Sequence, residues 1–291
     1  MQPKLQRWVQ RQGWDRASQR YEQYWQAQLQ PAIDLVLTTA NVQPGENVID
    51  VACGTGLATL PSAVGVAPTG RVLATDLAPK MVADLERRAA AAGLTNVDVA
   101  CRDAEDLRVD ESFDVALCSL GLMYVPAPAV AVGELHRVLR PGGRAVASVW
   151  GERRNCGWAE VFPIVGARVS SDVCPMFFAL GAPGALAYVF AQAGFVDVEE
   201  TRLQVELRYA SDDDAIGAAF IGGPVALAHS RFDEEARRSA YAEYLESIAP
   251  YASGGGYHVP GEFVIVSGRR AIEISCRSLL TNKQHTKGNQ P

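Results

Sequence analysis

At 291 residues, 48% hydrophobic and 21% charged, the chain has a globular composition and can bury a sizeable core in one elaborated domain. A net charge of −6 and a pI near 5.3 argue against a nucleic-acid surface, which carries a basic stripe. The sequence opens on no apolar h-region and contains no uninterrupted apolar run of membrane-spanning length, so a cytoplasmic protein without a transmembrane segment is expected.

In chain order, residues 14–40 predict a helix, with Trp14, Tyr21, Tyr24, Trp25, Leu29, Ile33 and Val36 recurring at intervals near three and four. Pro44-Gly45 turns the chain into a strand at 47–51. There an apolar run ends in Asp50 and passes into Val51-Ala52-Cys53-Gly54-Thr55-Gly56, a strand stopping at a tight turn with a helix starting near Leu57. Further strands are expected at 71–75, 97–101, 113–118 and 144–150. Helices are expected from Pro79 to Gly93 and over 127–139, the second stopped by Pro141-Gly142-Gly143.

This alternation defines an α/β fold with a doubly wound, mostly parallel sheet. Right-handed crossovers bring the strand C-termini to one edge, so Asp50, Asp76, Asp103 and Ser119 should converge on one crevice. Beyond 150, residues 152–182 are apolar and aromatic and suit a lid. Helical signals follow over 184–193 and 211–249, with strands over 195–209 and 261–267, the last supplying an antiparallel edge strand. The expected organisation is an N-terminal helical cap (1–45), a core (46–151), a lid with the remaining helices and strands (152–273) and a disordered tail (274–291). The six cysteines include no C-x-x-C and no regular spacing, which speaks for neither a disulfide framework nor a metal site.

The Gly-rich loop alone leaves its ligand open. The dinucleotide fingerprint needs a third Gly or Ala where Thr59 stands, and a P-loop needs a Lys that is missing. Four segments taken together are more specific: Asp50 to Gly56, Asp76, Arg102-Asp103-Ala104-Glu105, and Leu139-Arg140-Pro141-Gly142-Gly143. Over residues 40–151 the chain resembles the class I S-adenosylmethionine-dependent methyltransferases, nearest to the ubiquinone- and menaquinone-biosynthesis-like small-molecule enzymes. The resemblance implies a Rossmann-like core and S-adenosyl-L-methionine as cofactor. It also implies site roles: Gly54 and Gly56 for close backbone approach, Asp76 for the ribose hydroxyls, Asp103 and the Ala104 N–H for adenine. Leu77 and Met81 would pack on the adenine faces, and Asp50, Ala52 and Ser119 would face the methionine ammonium.

Tyr21 and Trp25 are placed to close over the cofactor, and Tyr124 and Trp150 to line the crevice. No obligatory catalytic motif is present. His229, His258 and Tyr124 are the candidates for a base; His136 reads as structural. Cys156 and Cys174, in the lid segment, read as buried thiols more readily than as ligands of a soft species. The expected activity is methyl transfer to a small, fairly apolar acceptor at carbon or oxygen, with no nucleic-acid partner and with a homodimer allowed. The alternatives are a non-catalytic S-adenosylmethionine-binding partner subunit and an NAD-dependent oxidoreductase, which leaves Asp103 unexplained.

Overall fold

The structure is a computed structural model that describes residues 2–110, 112–169 and 177–272. Helix α1 spans Pro3–Ala40, followed by β1 (Asn47–Val51), α2 (Thr59–Val66), β2 (Arg71–Asp76), α3 (Pro79–Ala91), β3 (Val97–Cys101) and β4 (Phe113–Ser119). Next come α4 (Pro128–Val138), β5 (Leu139–Trp150), α5 (Val161–Gly166), α6 (Ala185–Gln192) and β6 (Phe195–Tyr209). The chain continues through α7 (Asp212–Ile216), α8 (Ala226–His229), α9 (Glu234–Ile248), β7 (Ala252–Ser253) and β8 (Gly256–Arg270).

The strands form one sheet in the order β3-β2-β1-β4-β5-β8-β6, with β7 pairing only β8. Strands β1 to β5 are mutually parallel. The central ones are buried on both faces, which is why β1 and β4 read as nearly continuous apolar runs. The antiparallel strand expected near this edge is β8, which runs against β5 and is itself flanked by β6. Because β1, β2 and β4 point the same way, Asp50, Asp76 and Ser119 reach the same edge of the sheet, and the turn after β3 brings Asp103 there too.

Three boundaries differ from the sequence reading. The first helix begins at Pro3 rather than 14: residues 3–13 are mostly straight-chain helix formers, but few are apolar, so no hydrophobic stripe marks them. The helix after the Gly-rich loop begins at Thr59, because the chain is still turning through Gly56, whose φ is 93°. Pro141-Gly142-Gly143 does not stop a helix; α4 ends at Val138, and Leu139 already pairs with Phe113. Val115 pairs with Arg144, so the intervening residues bulge out of β5.

The described part of segment 152–182 is built of short turns and α5, and is core and cavity wall at once. Trp158, Val161, Ile164 and Val165 are buried in the main core, and Trp158 also borders the cleft described below. Cys174 and the expected tail lie outside the described residues.

Helix α1 starts beside the C-terminal edge of the sheet and ends at the start of β5, where the Ala40 and Asn41 carbonyls accept from Arg144; it is fastened along its length. Asp15 accepts the Lys80 N–H at 2.9 Å, and Gln28 makes paired hydrogen bonds of 2.6 and 2.8 Å with the Arg208 backbone. The Trp25 indole N–H donates to the Ala218 carbonyl at 3.2 Å.

Candidate functional site

The turn after β1 is possible because of its backbone. Ala52 and Gly54 take left-handed φ values of 57° and 55°, and Gly56 takes 93°. A Cβ on Gly54 would meet nothing within 4 Å, so its missing side chain leaves open space. A Cβ on Gly56 would fall 2.3 Å from Leu85 Cδ1, so this glycine serves helix packing. Gly56, expected to approach the ligand, does not border the cleft.

Asp76, at the end of β2, ties this turn to the next. Its Oδ2 accepts the Gly54 N–H at 2.9 Å and its Oδ1 accepts the Ala78 N–H at 2.8 Å. Asp50 is 1% exposed. Its Oδ2 accepts the Thr59 hydroxyl at 2.6 Å, while Oδ1 has no partner. Thr59, the residue that spoils the dinucleotide fingerprint, is thus the hydrogen-bond partner of the acid before the loop. Burial pushes the Asp50 carboxyl up to about 7, with Asp76 adding to the rise and Thr59 opposing it. Asp76 is raised for the same reason, against its bonds from the Ala78 and Gly54 N–H groups. The Cys53 thiol beside them is raised well above its ordinary value by burial and by both acids.

Asp50, Cys53 and Asp76 border a cleft that is partly open to solvent. Of the residues singled out in the sequence, Asp50, Ala52, Gly54, Asp76, Leu77, Met81, Asp103, Ala104, Ser119, Tyr21, Trp25, Tyr124 and Trp150 line it. The Ser119 hydroxyl is buried without a partner. Gly121 lets the β4 turn approach the β1 turn, since a Cβ there would sit 2.5 Å from Ala52 Cβ.

The two histidines named as possible bases are elsewhere. His229 Nε2 lies 2.7 Å from the Tyr241 hydroxyl, packed against Phe220 and Phe232. Burial, aided by Arg237, pulls its pKa down to about 4, so it is a neutral packing residue. His258 stands half-exposed on β8 opposite Arg208, 3.7 Å from Glu206. His136 packs edge-on to Phe195, a structural place as expected. Cys156 is buried, its thiol pushed up to about 12 by burial, which excludes a ready thiolate.

The sequence reading missed the first turns of α1. Arg7, Gln10 and Trp14 line the cleft. The Arg7 guanidinium bridges Asp103, at 2.6 Å, and Glu105, at 2.7 Å. Glu105 in turn accepts the Ala127 N–H at 2.9 Å, fixing the turn after β4. Leu29, Ile33, Trp158, Gly223 and Pro224 were also missed; they form an apolar end with Trp25 and Trp150. The i, i+4 spacing of Trp25, Leu29 and Ile33 was the available signal, but that stripe reads equally as core.

Comparison with known proteins accords with this geometry. Residues 48–143 match the family model described as a methyltransferase domain. The chain is 31% identical over 255 residues to the nocamycin O-methyltransferase of Saccharothrix syringae, covering 82% of this chain and 90% of that one. It is 32% identical over 179 residues to the demethylmenaquinone methyltransferase of Geobacillus stearothermophilus, covering 56% of this chain and 76% of that one. Among solved structures, the cyclase SpnF superposes with a TM-score of 0.54 at 22% identity, covering 85% of this chain and 83% of that one, a likeness of fold.

The chain belongs to the class I S-adenosylmethionine-dependent methyltransferases. The cleft suits that cofactor, which is cationic and carries no phosphate. Two buried carboxylates, Asp50 and Asp76, bond only to neutral groups among the described residues, and one oxygen of Asp50 is unpartnered.

Proposed function

We propose that this methyltransferase acts on oxygen or carbon of a small, apolar, ring-bearing acceptor. One observation carries the reading: a single continuous cleft has the acid-lined Gly-rich turn in one part and tryptophans with aliphatic side chains in another. Two relatives are named for methylating nocamycin at oxygen and for acting on demethylmenaquinone, and both names fit a small acceptor.

The cofactor supplies an already activated methyl group on a sulfonium centre, so the protein's task is positioning. On this reading Asp50, Ala52 and Ser119 receive the methionine end, and Gly54 leaves room for it. Asp76 accepts from the ribose hydroxyls; Asp103 and Ala104 meet the adenine edge; Leu77 and Met81 pack on its faces. Tyr21 and Trp25 on α1 cover the ligand and exclude water, which strengthens the pull of the buried carboxylates. Burial, with Asp76 and Glu22, raises the Tyr21 phenol above its ordinary value, so it stays protonated and acts as a donor, not a base. Among the described residues no histidine borders the cleft, so neither His229 nor His258 is placed to take a proton from the nucleophile.

Titration calorimetry tests the cofactor half. The intact protein should bind S-adenosylmethionine one to one, and Asp76→Ala should weaken binding about a hundredfold, the worth of two charge-assisted hydrogen bonds. A folded Asp76→Ala protein binding as tightly as wild type would contradict the assignment.

A further inference from the structure

The apolar end of the cleft contains one buried donor that the protein leaves unused. Trp158 is 2% exposed, and its indole Nε1 has no hydrogen-bond partner. Buried donors without partners are rare in folded proteins and invite an explanation. The protein satisfies the neighbouring indole of Trp25 with the Ala218 carbonyl at 3.2 Å, which sharpens the contrast.

Among the described residues no group accepts from this indole, and aromatic rings pack around it. Five rings surround it: Trp150 at 4.8 Å, Phe162 at 5.7 Å, Trp25 at 5.8 Å, Phe177 at 5.9 Å and Phe178 at 6.0 Å between centroids. Trp158 also borders the cleft, together with Trp25, Trp150 and Pro224. Aromatic rings give a flat acceptor area to lie on and no orientation along that area. A single N–H among them selects one orientation, and rejects a ligand that leaves it unpaired.

We infer that Trp158 is the specificity-determining contact for the methyl acceptor, its indole N–H donating to an oxygen of an otherwise apolar ring compound. This rests on the reading of the apolar end as the acceptor site and narrows it: the acceptor carries a carbonyl, phenol or enol oxygen on a ring of aromatic size. A pure hydrocarbon skeleton fits the walls and lacks the partner.

The test is nitrogen-15 NMR of the tryptophan indole N–H groups in the full chain loaded with S-adenosylhomocysteine. The probes are 1-tetralone, a bicyclic ketone that only accepts hydrogen bonds, and tetralin, the same skeleton without oxygen. Trp158→Phe and ring contacts to Phe177 assign the resonance. The expected result is binding of both probes, a downfield shift of the Trp158 indole proton with 1-tetralone alone, and an affinity preference for 1-tetralone that falls about tenfold in Trp158→Phe. The titration of the wild-type protein stands by itself if that variant does not fold. A Trp158 resonance that stays upfield and unmoved while both probes bind equally would mean that the N–H rests on a neighbouring ring, which overturns this inference and leaves the apolar acceptor reading intact. Neither probe binding to the loaded protein would overturn both.

Discussion

Asp50 illustrates how a single buried side chain ties proton binding to ligand binding. Its carboxyl is raised to about 7 by burial, with Asp76 contributing and Thr59 opposing. An acid whose folded pKa lies above its unfolded value favours the fold when protonated. That stability is complete below the ordinary carboxylate range and is lost as pH rises toward 7. The free protein should therefore lose thermal stability between about pH 4 and 7 at this site, and Asp50→Asn should flatten that decline in a melting series. A cationic cofactor favours the ionised acid, so its binding should expel a proton near pH 6.5. Calorimetry in buffers of different ionisation enthalpy reads that proton directly, and its release should shrink in Asp50→Asn. At Gly56, substitution by Ala meets both a left-handed backbone and Leu85. We expect a loss of roughly 2–5 kcal/mol in urea unfolding. Asp50, Asp76 and Asp103 were legible in the sequence because each follows an apolar strand. The partner of Asp50 was not, because Thr59 lies nine residues on and only the folded turn brings its hydroxyl back.

At the scale of the element, α1 is a strap whose first turns close the cleft. Arg7 fastens it to the turn after β3 through Asp103 and Glu105. Arg7→Ala should leave the sheet unchanged while hydrogen exchange of residues 3–12 accelerates and the cofactor dissociates about tenfold faster; unchanged exchange there would remove Arg7 from this role. These turns escaped the sequence reading because they are polar and half-exposed, and their contacts join residues about a hundred positions apart. At α8 the base candidate His229 is enclosed by Phe220, Phe232 and Tyr241. Across the sheet, Glu262 on β8 joins three elements. It is 3% exposed and accepts from Arg202 at 2.7 Å, Gln204 at 2.6 Å, Asn155 at 2.9 Å and the Glu152 N–H at 2.9 Å. Burial alone would raise its carboxyl, but these donors, Arg202 foremost, hold it down at about 2. Its contribution is present above the ordinary Glu range and is lost as pH falls toward 2. Glu262→Gln should cost about 3 kcal/mol at neutral pH in denaturant unfolding and much less near pH 2.

For the whole molecule, the parallel half of the sheet was readable because buried strands leave uniform apolar runs, and the order of the turns between them fixes which ends meet. The apolar end of the cleft was not readable, since Leu29, Ile33, Trp158 and Pro224 come from three distant segments and resemble ordinary core in each. The fold alone supports several chemistries, and one structural relative of this shape is named as a cyclase. The family assignment fixes the cofactor, and the apolar end of the cleft carries the claim about the acceptor. The most direct test is to incubate the protein with methyl-labelled S-adenosylmethionine and a pool of small metabolites, then follow the label by mass spectrometry. Label should appear in an apolar, ring-bearing product heavier than its precursor by one methylene unit, and in none when Asp76→Ala is used. Label appearing instead in a charged amine, a protein or a nucleic acid would contradict the claim about the acceptor.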